Sequence, residues 1–377
     1  HRAILNHVKN LGGALQLTEK DKIVSWLPLY HDFGLIAAYQ IPLAYGITTI
    51  QIDPFEWVLA PVLLPEVISK EKATTTFSPN FAYNVLAEKI DEEELEGLDL
   101  SSLRIMVNAA EPIRHDSHEK FIARFKKYGL NPNALAGLYG MAEVTLGATL
   151  TTPGKPIPEL SVDRNELSRG FMKPANDKSV VRVCVSSGHP INECDLKVVD
   201  ENRNEIEDGI VGEVAVTSIS MFDGYRNYPE KTAEVVSNRW YYSGDYGFRW
   251  KGEYYIIGRK KDIIIVAGKN IYPEDIEDVM NGVEGLIPGR TIAFGEEDLN
   301  MGTEFVAVVS ETNAQTDEEK NKVRMNILKA GMSIDIIIHK VYLVPPRWLI
   351  KSSSGKPSRK ANKERLISEP DNQVWSR

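Results

Sequence analysis

Leu103-Arg104-Ile105-Met106-Val107 runs directly into Asn108-Ala109-Ala110-Glu111-Pro112, and the residues that follow decide the fold. The first five are apolar apart from Arg104, the pattern of a strand covered on both faces. Asp116 to Tyr128 reads as a helix, with Phe121, Ile122 and Phe125 on one face and Asp116 with Glu119 resembling a capping box. A second apolar run, Ala134 to Leu138, ends in Tyr139-Gly140-Met141-Ala142-Glu143. Strand, helix and strand in succession make a β-α-β unit, which calls for a parallel sheet with helices on its faces.

The same alternation extends towards the amino terminus. Lys22 to Leu29, Thr48 to Ile52 and Ala73 to Phe77 are strand candidates, and Leu35 to Ala44, Val62 to Lys70 and Phe81 to Ile90 are helix candidates. Gln40, Pro42, Thr48, Thr49 and Gln51 interrupt the most apolar stretch, Leu35 to Ile52, so it predicts a buried helix and a buried strand rather than a membrane span. Downstream the pattern changes to short strands at Val180 to Val185, Asp195 to Val199 and Val211 to Ser218, with a hairpin at Phe248 to Ile257 about Lys251 and Gly252. A polar break at Gly258 to Asp262 precedes a helix start at Pro273, with Glu274 and Asp275 at the positive end of the dipole. The expected fold is α/β. A large domain over 1–260 has mostly parallel sheet layers in 1–160 and a β-rich subdomain in 161–260, and a small mobile α+β domain occupies 261–377.

The 377 residues carry 44 Lys and Arg against 53 Asp and Glu, a net charge of −9, which disfavours nucleic acid as a partner. The hydrophobic share of 42% and charged share of 26% are those of a globular chain with a sizeable core. Cys184 and Cys194 are too few for a disulfide scaffold, and no CxxC pair suggests zinc. With no secretory signal, reduced thiols and a cytoplasmic location are expected. The chain opens at His1 inside a helix-like stretch, which predicts a piece of a longer protein.

Both strand-end segments lie where open α/β sheets bind ligands. In Tyr139 to Glu143, a glycine permits a sharp turn, an aromatic ring can stack on a base and a carboxylate can hold Mg²⁺. Alone, each segment also fits an ordinary loop. Tyr242-Ser243-Gly244-Asp245 sets an acid after a turn, where it could accept from ribose hydroxyls or simply face solvent. Ser352-Ser353-Ser354-Gly355-Lys356 fails as a phosphate loop, since Ile350 and Pro357 stand where Gly and Ser or Thr are needed. Lys356 instead reads as a cation on a Ser/Gly loop within a basic tail. His115 and His118 at i, i+3 could pair on a metal, but an exposed helix face is the simpler reading. Neither a Gly-x-Ser-x-Gly elbow nor a Gly-x-Gly-x-x-Gly turn occurs.

Taken in order, these segments resemble the acyl-adenylate-forming superfamily, and within it the fatty acyl-AMP ligases. Leu27-Pro28-Leu29-Tyr30-His31-Asp32-Phe33-Gly34-Leu35-Ile36, Ser78-Pro79-Asn80-Phe81-Ala82-Tyr83, Asn108 to Pro112 and Tyr139 to Leu146 carry that closer likeness. The resemblance implies that Ala110, Glu111 and Pro112 line an adenine pocket and Tyr139 stacks on the base, within the segment Tyr139, Gly140, Met141 and Ala142. It implies Glu143 as the Mg²⁺ ligand, Asp245 on the ribose hydroxyls and Arg259 on the ribose or phosphate. Lys261 would be a hinge, Lys356 would bridge the substrate carboxylate and α-phosphate, and His31 would stand near the acyl and thiol entrance. Val162 to Leu167 and the stretch to Pro190 resemble the insertion that sets acyl-AMP ligases apart from acyl-CoA synthetases.

The family's Gly- and Ser/Thr-rich phosphate loop is absent from these residues and is expected upstream of His1, without which weak or no turnover is expected. Ala109 stands for a usual glycine, and Pro357 for a commoner β-branched residue. The implied cofactors are ATP and Mg²⁺. The implied partners are a fatty or related carboxylic acid and the phosphopantetheine thiol of an acyl carrier protein, with coenzyme A as the rival acceptor. A degenerate nucleotide or acyl binder and an amino-acid adenylation domain are the other readings; Glu143, Asp245, Arg259 and Lys356 together speak for an enzyme.

Overall fold

The computed structural model describes residues 1–266, 268–298, 303–351, 357–368 and 374–376. The chain divides into two compact units: 1–162 with 182–257, and 163–181 with 258–377.

In the first unit, five parallel strands form the frame: β1 (Lys22–Ser25), β2 (Thr48–Gln51), β3 (Thr75–Ser78), β4 (Ile105–Asn108) and β5 (Leu135–Gly140). Their order is β2-β1-β3-β4-β5. An antiparallel strand, β6 (Gly147–Leu150), and the short pair His189–Pro190 extend the sheet beyond β5. This is a mostly parallel α/β sheet, as the β-α alternation implies. β3 and β4 are buried along their whole length, which accounts for their apolar sequence. β2, by contrast, is an edge strand with exposed ends, so the expectation of a buried strand there is corrected: being apolar reflects its neighbour β1 on one side only.

Helices Asn80–Glu88 and His115–Phe125 follow β3 and β4 and pack on each other. Tyr83, Phe121 and Phe125 meet in edge and tilted ring contacts and are buried. The Asp116–Glu119 capping box is not formed. The helix caps at Arg114 without a side-chain bond, and the Arg114 N–H donates to Asn80 Oδ1 at 3.0 Å instead. After β1 the chain makes a π-helix, Phe33–Gln40, then an α-turn, Ile41–Tyr45. Gly34 is required there, because a Cβ would lie 2.3 Å from the Pro28 carbonyl oxygen.

The amino edge of the sheet is stapled by one buried carboxylate. Asp21 accepts from Thr74 Oγ1 at 2.7 Å, the Thr18 N–H at 2.8 Å and Arg104 Nη2 at 3.0 Å. This explains the single charged residue before β4. The hydrogen bonds and the Arg104 charge hold the Asp21 carboxyl below the ordinary range against the opposing effect of burial.

The β-rich part has the strands Cys194–Val199, Gly212–Ser218, Trp240–Trp250 and Glu253–Arg259 in antiparallel succession. Lys251 and Gly252 both have positive φ, 53° and 82°, the two-residue turn that matches strand twist. Both cysteines are free, and burial pushes the Cys194 thiol up to about 12.

In the second unit, Leu286–Asp298, Thr303–Thr312, Ile338–Val344 and Trp375–Ser376 form a four-stranded sheet. Helices Pro273–Met280 and Asp317–Ser333 cover it, the latter opened by a Thr316–Glu319 capping box. Segment 163–181 is held here by Arg164, whose Nη1 meets Asp275 Oδ2 at 2.7 Å with both side chains largely buried. Among the described residues, no helix is long and apolar enough to cross a membrane.

Candidate functional site at the carboxyl edge of the sheet

The order β2-β1-β3 reverses the winding at β1, and ligands of such sheets sit outside the carboxyl ends of the strands. The candidate segments that follow β1, β4 and β5 leave from that edge. After β1 comes His31, whose Nδ1 lies 2.7 Å from Asp32 Oδ1 and accepts the Phe33 N–H at 3.1 Å. Its bonds are thus with its own neighbours at the start of the π-helix, an element often found at functional sites.

After β4, Ala110 has a φ of 68°, a left-handed conformation that costs a non-glycine residue on the order of 1 kcal/mol. The turn is held from outside. Glu111 Oε2 accepts the Phe81 N–H at 3.0 Å, joining the exits of β3 and β4. Behind it, Asn108 Nδ2 meets Asn80 Oδ1 and His118 Nε2 at 3.0 and 2.9 Å. His118 is buried, and burial, aided by the charge of His115, pushes it down to about 4. His115 instead meets Glu159 at 2.7 Å, so the pair is not arranged on a metal and His118 is not on an exposed face. No cluster of three or more His, Cys, Asp or Glu among the described residues could hold a metal by itself.

After β5 the chain reverses into β6. Gly140 is needed for packing and not for torsion: a Cβ would lie 1.8 Å from the Leu146 carbonyl oxygen. The buried Tyr139 donates its hydroxyl to Asp245 Oδ2 at 2.8 Å. Burial, with the Asp245 charge, holds that phenol well above its ordinary range, so it stays a donor. Asp245 arrives from the Trp240–Trp250 strand at a β-bulge. Glu213 pairs with Tyr246 but Ala215 with Tyr242, leaving Ser243-Gly244-Asp245 displaced from the ladder. Gly244 has a φ of 72°, its N–H donates to Glu213 Oε1, and the Asp245 N–H donates to Ser243 Oγ. The structure therefore brings together Tyr139 and Asp245, 106 residues apart.

Met141 packs beside Tyr139 and Val144, while Ala142 is exposed. Glu143 is half-buried in a short 3-10 turn and forms no salt bridge among the described residues. A half-exposed carboxylate without a salt bridge fits Mg²⁺, which takes one or two carboxylates and completes its shell with phosphates and water. Glu143 Oε1 accepts from the Tyr225 hydroxyl at 2.7 Å, a partner that sequence reading did not single out.

Arg259 and Lys261 belong to the second unit and are exposed, Lys261 in the 3-10 turn Lys260–Asp262. Lys356 lies outside the described residues. Its flanks are described: Lys351 bridges to Pro357, and the buried Asn362 takes the Ile350 N–H on Oδ1 and donates to the carbonyls of Ile350 and Ser358, all at 2.8 Å.

Residues 1–226 match the family model described as AMP-binding enzyme. The chain is 32% identical over 384 residues to the probable long-chain-fatty-acid–AMP ligase FadD30 of Mycobacterium tuberculosis, covering 95% of this chain and 64% of the relative. It is 32% identical to the medium-chain-fatty-acid–[acyl-carrier-protein] ligase JamA of Moorena producens, covering 97% of this chain and 64% of the relative. A structure from a study of the fatty acyl-adenylate ligases of E. coli and L. pneumophila matches with a TM-score of 0.91 at 26% identity, covering 98% of this chain and 66% of that one. The chain thus spans about two thirds of the length of these relatives. With the fold and the sequence in agreement, the chain belongs to the AMP-binding enzyme family.

Proposed function

We propose that the protein uses ATP to convert a fatty or related carboxylic acid into an acyl-adenylate, then passes the acyl group to the phosphopantetheine thiol of an acyl carrier protein. The observation that carries this reading is the Tyr139–Asp245 bond at the carboxyl edge, beside the left-handed turn at Ala110. It sets an aromatic ring and a carboxylate next to an exposed strand exit, the groups needed for a base and a ribose. Ala110, Glu111 and Pro112 line the base, Asp245 takes the ribose hydroxyls, and Arg259 reaches the ribose or phosphate.

The chemical difficulty is bringing one anion to another. A carboxylate oxygen attacks the α-phosphorus, the bond to the bridging oxygen breaks, and pyrophosphate leaves with the electron pair. Glu143 would hold Mg²⁺, which when bound would supply charge neutralisation on the phosphates. Lys356 bridges the carboxylate and the α-phosphate, and positioning with electrostatics provides the acceleration. Rotation about Lys261 then withdraws Lys356 and admits the thiol past His31. The thiol sulfur attacks the acyl carbon and AMP departs. The carrier protein is preferred to coenzyme A because the relative JamA is named for that acceptor.

The test uses the natural full-length protein with ATP, Mg²⁺ and a panel of fatty acids, followed by mass spectrometry. Acyl-AMP that persists with coenzyme A but passes to a phosphopantetheinylated carrier is the expected result. Efficient acyl-CoA formation would move the protein to the synthetase branch, and no adenylate with any acid would overturn the reading.

A further inference from the structure

We propose that Tyr225 is a positioning residue for Glu143, turning that carboxylate so that one oxygen is committed to the protein and the other faces the divalent cation. The inference rests on the reading of Glu143 given above and deepens it. The Tyr225 hydroxyl donates to Oε1 of Glu143 at 2.7 Å, and the Tyr241 hydroxyl lies 3.4 Å from that of Tyr225 and also interacts with Glu143, so the two phenols converge on the carboxylate. Tyr241 is buried.

The surrounding backbone is fixed independently of the phenols. The Phe222 N–H donates to the Glu143 carbonyl at 2.8 Å. Thr145, two residues on, has φ 78° and ψ −49°, the rarer γ-turn form and a strained conformation for a β-branched residue. Its Oγ1 donates to the Ser220 carbonyl at 2.8 Å, which holds it there. Phe222 packs edge-on against both Tyr225 and Tyr241, with ring centroids at 5.0 and 5.7 Å. The segment Ser220 to Tyr225 thus grips the Glu143 turn by backbone, ring and hydroxyl, although some 80 residues separate them in sequence.

A glutamate has several rotamers, and a cation bound by a single carboxylate depends on which one is populated. A hydrogen bond from a phenol to one oxygen removes that freedom before the metal arrives, as hydrogen-bonded outer partners do for other metal ligands.

Tyr225→Phe tests this, because the ring and its contact with Phe222 are kept and only the hydroxyl is lost. Two readouts are needed, both in the natural full-length protein. The first is Mn²⁺ binding, followed by electron paramagnetic resonance in the presence of a non-cleavable α,β-methylene ATP analogue. The second is the Mg²⁺ dependence of adenylate formation. The expected result is a roughly tenfold weaker Mn²⁺ affinity and an equal rise in the Mg²⁺ concentration for half-maximal rate, about the factor carried by a hydrogen bond to a charged group. Transfer from supplied acyl-AMP and the melting temperature serve as controls for a structural role. Unchanged Mn²⁺ affinity would overturn the inference, as would equal losses in adenylation and transfer. Glu143→Gln separates the two levels. If it weakens Mn²⁺ binding while Tyr225→Phe does not, only the positioning role fails; if neither does, the assignment of Glu143 fails with it.

Discussion

At the residue scale, Gly140 is informative because its backbone is not in the left-handed region, yet no side chain fits. An added Cβ would meet Leu146 O at 1.8 Å and Gly147 Cα at 2.7 Å, both backbone atoms that cannot swing aside. Gly140→Ala should force β5 and β6 apart and cost about 3 kcal/mol, the upper part of the overpacking range. Urea unfolding of the variant measures this, and an unshifted midpoint would contradict the close approach. The motif Tyr139 to Glu143 was legible in the sequence, but the reason for its glycine was not. Likewise, Asp245 was legible as an acid after a turn. The bulge that aims it depends on pairing with Glu213 and Ala215, which no local pattern encodes. Tyr225 had no sequence signal, since a tyrosine in a loop is ordinary until its long-range partner is seen.

At the element scale, strands and helices followed the apolar periodicity closely, because burial on a sheet sets that period. Departures arose where tertiary contacts won. Helix His115–Phe125 has no side-chain cap, and the N–H of its N-cap residue Arg114 goes to Asn80 rather than to Glu119; Phe33–Gln40 is wound as a π-helix within a segment read simply as helical. The stem formed by Ile350, Ser358 and Asn362 is a further case. Asn362 is fully buried and makes three hydrogen bonds to backbone groups, two reaching Ile350, twelve residues back, and one the local carbonyl of Ser358. Asn362→Ala would leave those backbone groups without that partner and should cost about 2–4 kcal/mol in the second unit. Hydrogen exchange over Ile338–Val344 and Arg359–Ser368 should quicken in that variant. No change there would mean that other contacts hold the stem.

At the scale of the whole molecule, the two units are expected to answer acidification in opposite directions. In the first, burial pushes His7 and His118 down to about 4. The unfolded chain takes up protons near pH 6.5 and the folded one does not. Stability therefore falls as pH drops from about 6.5 towards 4, by up to ~3 kcal/mol for each histidine. In the second, burial pushes Glu277 up to about 7, against the attraction of Arg359, whose guanidinium also meets Asp262 and Glu274. There the folded state holds the extra proton, so stability is greatest at low pH and is lost as pH rises towards about 7. Hydrogen exchange corrected for intrinsic rates, at about pH 7.5 and about pH 5, should show protection falling over residues 105–125 and rising over 273–280. A uniform response would refute the two assignments. The sheet itself also has unequal edges. Asp21 staples one, and the turns that follow β4 and β5 leave from the other. For an engineer, this marks where foreign sequence can enter. A peptide graft at the exposed Glu96–Gly97 link lengthens a connection on the stapled side and leaves the chemistry undisturbed. The same graft beside Ala110 would disrupt its left-handed turn and with it the proposed nucleotide site.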